Sequence, residues 1–90
     1  MISRNVLKVS SKTKVSSLAG AIAETIRENG TATLSAMGAG AVNQAVKAIA
    51  TAKGFLSPSG IEIVCSPAFD VTRTNDAART RITIVVRKEQ

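Results

Sequence analysis

The chain has 90 residues, of which 44% are apolar and 20% are charged, and these values predict one folded domain over residues 1–90 with a modest core. It contains no histidine and one cysteine, which excludes a Ser-His-Asp triad, a His-ligated metal site and an internal disulfide within the chain. Twelve Lys/Arg against six Asp/Glu give a net charge of +6, which favours a polyanionic partner, with solubility alone as the alternative role.

The first part of the chain shows a strand, a helix and a second strand. Residues 5–10 form a short β-prone run that a polar, basic loop follows. Apolar residues then recur every three to four positions, which predicts an amphipathic helix that ends at Gly30. Its apolar face consists of Val15, Leu18, Ala19, Ile22, Ala23 and Ile26. Ser16 and Ser17 lie near its start and are expected to cap it, and alternation over 31–37 predicts the second strand.

The second part shows a helix and two further strands. A glycine-containing turn leads into a helix that is expected to end at Gly54. Its predicted apolar face consists of Val42, Ala45, Val46, Ile49 and Ala52. A third strand starts at Ile61 and is interrupted by Pro67, and the last strand covers 80–87. A polar hairpin arm at about 70–80 is expected to join these two strands.

The order βαβαββ predicts an α/β protein built as an α+β two-layer sandwich. The strand–helix–strand units need parallel strands and right-handed crossovers, whereas the final hairpin is antiparallel. Because proline is tolerated at a sheet edge, Pro67 places the third strand there, which gives a four-stranded mixed sheet in the order 1-2-4-3. Both helices then cover one face of the sheet. The core is expected to include Phe55, Phe69 and Cys65.

Four segments occur in an order and spacing that resemble a known family. They are 6–10 (VLKVS), 18–22 (LAGAI), 36–48 (AMGAGAVNQAVKA) and 54–60 (GFLSPSG). Together they resemble the stage V sporulation protein S family, over Val6 to about Val86, and that family resembles the Alba group of chromatin and RNA-binding proteins. The resemblance implies a βαβαββ sandwich, a homodimer or higher homo-oligomer, and binding of nucleic acid, either DNA or RNA.

Lysines stand where a ligand site is expected in this fold. Lys12 and Lys14 follow the first strand, and ligands tend to bind at the carboxyl ends of parallel strands. We expect them to neutralise phosphates, with a merely solvated loop as the alternative. The turn 38–40 precedes a helix N-terminus that could hold a phosphate, although close packing of strand and helix is the stronger interpretation.

The second helix and the hairpin arm supply the remaining candidates. Asn43 and Gln44 are predicted dimer contacts, with a nucleic-acid contact as the alternative. Lys47 shares a face with Asn43 and is predicted to bind nucleic acid. Three arginines flank the arm and are expected to reach a DNA groove, with protection of exposed strands by charge as the alternative. They are Arg73, Arg79 and Arg81.

These features predict a non-enzymatic nucleic-acid-binding protein that contacts phosphates with weak sequence preference and regulates sporulation or development. The alternative is a protein-interaction or self-assembly factor that does not bind nucleic acid. No cofactor, metal or small-molecule substrate is expected. Neither a signal peptide nor a membrane span is recognisable, so we expect a cytoplasmic protein without a membrane partner.

Overall fold

The computed structural model describes residues 6–70 and 80–89. The described elements are β1 (Val6–Val9), α1 (Val15–Asn29), β2 (Thr31–Met37), α2 (Ala39–Leu56), β3 (Ile63–Asp70) and β4 (Arg81–Lys88), with a short 3₁₀ turn (Ser57–Ser59) before β3. The predicted order βαβαββ is confirmed. Most of the predicted hairpin arm, residues 71–79, lies outside the described residues.

The four strands form one mixed sheet in the order β1-β2-β4-β3. β1 and β2 are parallel, whereas β4 is antiparallel to both β2 and β3. The predicted sheet order and the edge position of the third strand are confirmed. Pro67 does not interrupt β3, because it lies within the strand, opposite Ile84. An edge strand pairs on one side only and therefore accepts a residue without an N–H group.

α1 presents the predicted apolar face to the core. Its buried residues are Leu18, Ala19, Ile22, Ala23 and Ile26. The helix ends at Gly30, as predicted, and the N–H group of Gly30 donates to the carbonyl of Ile26 at 2.8 Å. The predicted capping by Ser16 and Ser17 is wrong. Lys14 occupies the N-cap position without a side-chain hydrogen bond to the described backbone, and both serines lie exposed inside the first turn.

α2 buries its alanines instead of its larger apolar residues. Its buried residues are Ala41, Ala45, Ala48, Ala52 and Leu56. Val46 is 54% exposed, and Val42 and Ile49 lie at the margin of the core, so the predicted face is only partly correct. The small alanine side chains let α2 approach α1 and the sheet closely.

The predicted end of α2 at Gly54 is also wrong, because the helix continues to Leu56. A glycine inside a helix costs about 1 kcal/mol relative to alanine. The fully buried side chain of Leu56 offsets this cost, since burying a leucine stabilises by about 1.5–3 kcal/mol. Within the described ranges, neither helix is both long and apolar enough to cross a membrane.

The helices cover one face of the sheet, as predicted. Alternation along the strands directs Leu34, Ile84 and Val86 towards the helices, where they are buried. The opposite face, here called the open face, consists of the alternate strand residues, from Lys8 in β1 to Ser66 in β3.

β3 extends beyond the area that the helices cover, because α1 and α2 pack over β1, β2 and β4. Phe69 is 76% exposed and Phe55 is 47% exposed, and Cys65 is exposed as well. The prediction that these three residues belong to the core is therefore wrong. Hydrophobic character alone favours burial, but a buried position also needs a neighbouring element, and no described element covers the second half of β3.

Candidate nucleic-acid interface

The loop between β1 and α1, residues 10–14, is a compact hydrogen-bonded turn, here called the lysine loop. The N–H group of Ser10 donates to Oγ1 of Thr13 at 2.8 Å, and the N–H group of Thr13 donates to the carbonyl of Ser10 at 3.1 Å. The N–H group of Lys12 donates to Oγ of Ser10 at 3.1 Å. These bonds fix the backbone from which the exposed side chains of Lys12 and Lys14 project.

The start of α2 holds this loop in place. Nε2 of Gln44 donates to the carbonyl of Thr13 at 2.8 Å. A Cβ atom on Gly40 would lie only 2.8 Å from Cβ of Ser11, so a side chain at position 40 would push the loop away. Gly38, which precedes the helix, has a φ of 95°, which L side chains rarely adopt. Close packing of loop and helix is therefore a role of the turn 38–40.

An open cleft of about 790 Å³ lies at this end of the sheet. Among the described residues, its lining consists of Val9, Ser10, Ser11, Met37, Gly38, Gly40, Ala41 and Thr80. The cleft joins the lysine loop to the start of β4, since Thr80 immediately precedes that strand. Serine and threonine hydroxyls and the first N–H groups of α2 supply hydrogen-bonding groups around it.

The other candidates on α2 lie beside this region. Lys47 is exposed and follows Gln44 by three positions, so the two residues share a side of the helix. Asn43 is exposed, whereas Gln44 is half-buried and already bonded within the chain. The dimer contacts predicted for Asn43 and Gln44 stay predictions.

Arg81 lies on the open face, on the other side of the sheet from the helices. Its Nη1 donates to Oγ of Ser35 at 3.1 Å, and its Nε lies 4.0 Å from Oδ2 of Asp70. Asp70 therefore offsets part of the positive charge of Arg81. Arg73 and Arg79 lie outside the described residues, so the predicted convergence of loop and arm cations stays a prediction.

The lysine loop carries its charge without a carboxylate partner among the described residues. The ion pairs in those ranges are Lys53–Glu62 at 2.8 Å and Arg81–Asp70 at 4.0 Å. The hydrogen bond from Lys53 to Glu62, and then the charge of Glu62, raise the pKa of Lys53 above its usual 10.5. The sequence predicted neither this ion pair nor the Gln44–Thr13 hydrogen bond. Each joins residues from separate segments of the chain, and nothing in the neighbouring sequence indicates such a contact.

The described residues contain no group of three or more side chains suited to holding a metal ion. The chemistry available at the cleft and lysine loop is therefore that of ammonium groups, hydroxyls and backbone N–H groups. These groups fit an anion that presents several oxygen atoms, such as a phosphodiester.

The fold is that of Alba proteins. The crystal structure of ALBA1 from Trypanosoma brucei matches 99% of this chain and 74% of that chain, with a TM-score of 0.63 and 21% sequence identity. The Alba-like βαβαββ fold predicted from the sequence is therefore confirmed. At this level of identity the likeness concerns the fold alone.

Within that fold, the sequence identifies the family. The model of the family described as "Stage V sporulation protein S (SpoVS)" matches residues 5–89. Because this match spans nearly the whole chain, the chain belongs to the stage V sporulation protein S family. The resemblance predicted from the four sequence segments is confirmed.

Proposed function

We propose that this protein is a cytoplasmic, non-enzymatic nucleic-acid-binding protein that regulates sporulation or development. It contacts the phosphate backbone of DNA or RNA with weak sequence preference. The observation that carries the proposal is the lysine loop, which presents Lys12 and Lys14 from a rigid turn beside an open cleft.

The state of these lysines supports contact with phosphates. Both side chains are exposed, and within the described residues neither forms an ion pair, so binding an anion breaks no existing contact. A lysine that neutralises a phosphate releases condensed counterions, which makes the affinity salt-dependent and independent of sequence. A loop that is already ordered also loses little conformational entropy on binding.

A homodimer is part of this proposal. Phe69, Pro67 and Cys65 form an exposed apolar group on β3 that the helices leave uncovered. A second copy that covers this group would bury it and bring two lysine loops to one ligand. Asn43 on the exposed side of α2 is the further contact that we expect.

The test is a gel-shift titration with DNA and with RNA at about 50 and 200 mM salt. The loop variant Lys12→Ala/Lys14→Ala should weaken binding and lower the slope of log K against log salt by about two. Adding Arg73→Ala and Arg79→Ala should weaken binding further.

The matched control is Arg27→Ala/Lys53→Ala, which removes the same charge from the two helices. If the loop variant and this control bind equally at matched salt, the proposed site is wrong.

The exposed apolar group on β3 also favours a second candidate, a self-assembly factor that does not bind nucleic acid. Under that hypothesis the protein stays unbound at low salt, and light scattering shows oligomers whose size depends on concentration. Binding that strengthens steeply as salt is lowered favours the first candidate.

A further inference from the structure

We propose that the open face carries a second site for a nucleic-acid backbone, formed by Lys8, Arg81 and Arg87. The proposal rests on the proposed function and extends it to the side of the sheet opposite the helices. Its basis is the arrangement of charge and hydroxyl groups on a surface that no described element covers.

Two cations flank a serine near one end of this face. The β1–β2 register places Lys8 beside Ser35, and the β2–β4 register places Ser35 beside Thr83. Nη1 of Arg81 donates to Oγ of Ser35 at 3.1 Å, so the guanidinium lies across the same part of the face. Neighbouring strands are about 4.8 Å apart, which puts β1 and β4 roughly 10 Å from each other.

The third cation extends the charge along the sheet. Arg87 follows Arg81 by six positions on β4, so the two residues point to the same face about 20 Å apart. Arg87 is exposed and pairs in register with Thr31 on β2 and Val64 on β3. The cations therefore span the length of the strand.

The open face has a positive net charge. Among the described residues of its strands, the only carboxylate is Asp70, beside Arg81. Lys8 and Arg87 form no ion pair within those residues. The other described acids are elsewhere: Glu24 and Glu28 on α1, Glu62 paired with Lys53, and Glu89 after β4. The face therefore complements an anion.

The surface between the cations suits a sugar–phosphate backbone. Thr33 and Thr83 present hydroxyl groups there that suit phosphate or sugar oxygens, whereas the hydroxyl of Thr31 already donates to the carbonyl of Val86 at 3.2 Å. The described strand residues of this face include no aromatic ring, so bases have nothing to stack on. The contact that this face offers is consequently to the backbone and independent of sequence.

A second copy of the chain fits this face poorly. Two open faces in contact would bring the unpaired charges of Lys8 and Arg87 close to the cations of the other copy, and like charges in an interface repel each other. The phosphates of a nucleic-acid strand are negatively charged, so they attract these cations. We therefore assign the nucleic-acid backbone as the occupant.

The test compares three double variants by fluorescence anisotropy, with a short labelled DNA duplex and an RNA strand of the same length. Lys8→Gln/Arg87→Gln changes the open face, Lys12→Gln/Lys14→Gln changes the lysine loop, and Arg27→Gln/Lys53→Gln is the matched control. Because these side chains are exposed and unpaired within the described residues, the open-face and loop variants should keep the melting temperature of the parent. The control also removes the exposed Lys53–Glu62 pair, so its melting temperature should fall slightly. The open-face variant should lower the salt slope by about two, as should the loop variant.

NMR titration of the loop variant gives an independent measurement. We expect the backbone amides of Thr33 and Thr83 to shift on adding either oligonucleotide. If the open-face variant binds like the control while the loop variant binds more weakly, the open-face site is overturned and the proposed function stands. If the parent binds neither nucleic acid, or binds only phosphatidylserine vesicles, both proposals are overturned.

Discussion

Gln44 connects two segments that are 31 positions apart in the chain, because its side-chain amide donates to the carbonyl of Thr13. Sequence reasoning grouped Gln44 with Asn43 as an amide pair on the polar side of a helix. The structure distinguishes the two, since only Gln44 reaches the lysine loop. Such a bond has no sequence signature, because it depends on how the helix and the loop are placed in space.

At the scale of this residue, we predict that Gln44→Ala loosens the lysine loop. The substitution leaves the carbonyl of Thr13 without its donor, so the turn opens more often. Hydrogen exchange measured by NMR should be faster at the amides of Lys12 and Thr13. Asn43→Ala is the control and should leave both rates unchanged. Equal acceleration in the two variants would contradict the positioning role of Gln44.

At the scale of elements, α2 shows what periodicity reveals and what it does not. Its existence follows from the spacing of apolar residues after the predicted turn 38–40, although the helix begins at Ala39, within that predicted turn. Its orientation does not follow from this spacing, because a pattern that weights Val46 above Ala48 turns the wrong side towards the sheet. Ala48 is fully buried, whereas Val46 is 54% exposed. The alanine side faces the core because only small side chains fit between α2 and the elements packed against it.

We therefore predict that Ala48→Leu lowers the free energy of unfolding by about 1–3 kcal/mol, because three extra carbons must enter a filled space. Ala50→Leu is the matched control, since Ala50 is exposed on the same helix, and its effect should stay within about 0.5 kcal/mol. Urea denaturation measures both values. A larger loss for the variant at position 50 would show that the orientation of α2 is wrong.

The ion pair between Lys53 and Glu62 links the end of α2 to the segment before β3, and it predicts a dependence on pH. Glu62 raises the pKa of Lys53 in the folded chain above 10.5. The stabilisation is therefore complete below pH 10.5 and is lost as the pH rises through the raised value.

Comparing the parent with Lys53→Met by urea denaturation from pH 8 to 11.5 tests this. The difference in the free energy of unfolding between the parent and Lys53→Met should become smaller towards pH 11.5. It should also become smaller in high salt, because the ion pair is exposed. A difference that grows with pH would contradict the assigned pair.

At the scale of the whole molecule, the order of the strands could be predicted from the sequence, but the area of the sheet that the two helices cover could not. Two crossovers and one edge proline are enough to order the four strands, because each rule excludes many arrangements. Coverage depends on how far two helices extend over a sheet, and no local pattern encodes that. For this reason the exposure of Phe69 and Cys65 could not be predicted from the sequence.

We predict that Phe69→Ser weakens the proposed homodimer. Burying a phenylalanine side chain stabilises by about 1.5–3 kcal/mol, so the dimer dissociation constant should rise at least about tenfold. Sedimentation velocity across a concentration series measures it. Phe55→Ser removes the same ring from the end of α2 and is the control. If the parent is monomeric at all concentrations, this interface does not exist.

Pro67 limits how copies of this chain can associate through their backbones. It stands midway along β3, one of the two edge strands of the described sheet, and its nitrogen carries no hydrogen. A fifth strand arriving at that border would lack a donor at its centre, so ribbon-like polymerisation through the main chain is blocked there. Fibril growth through this edge is therefore disfavoured, and contacts that other molecules make at β3 depend on its side chains, which salt and single substitutions can weaken or strengthen.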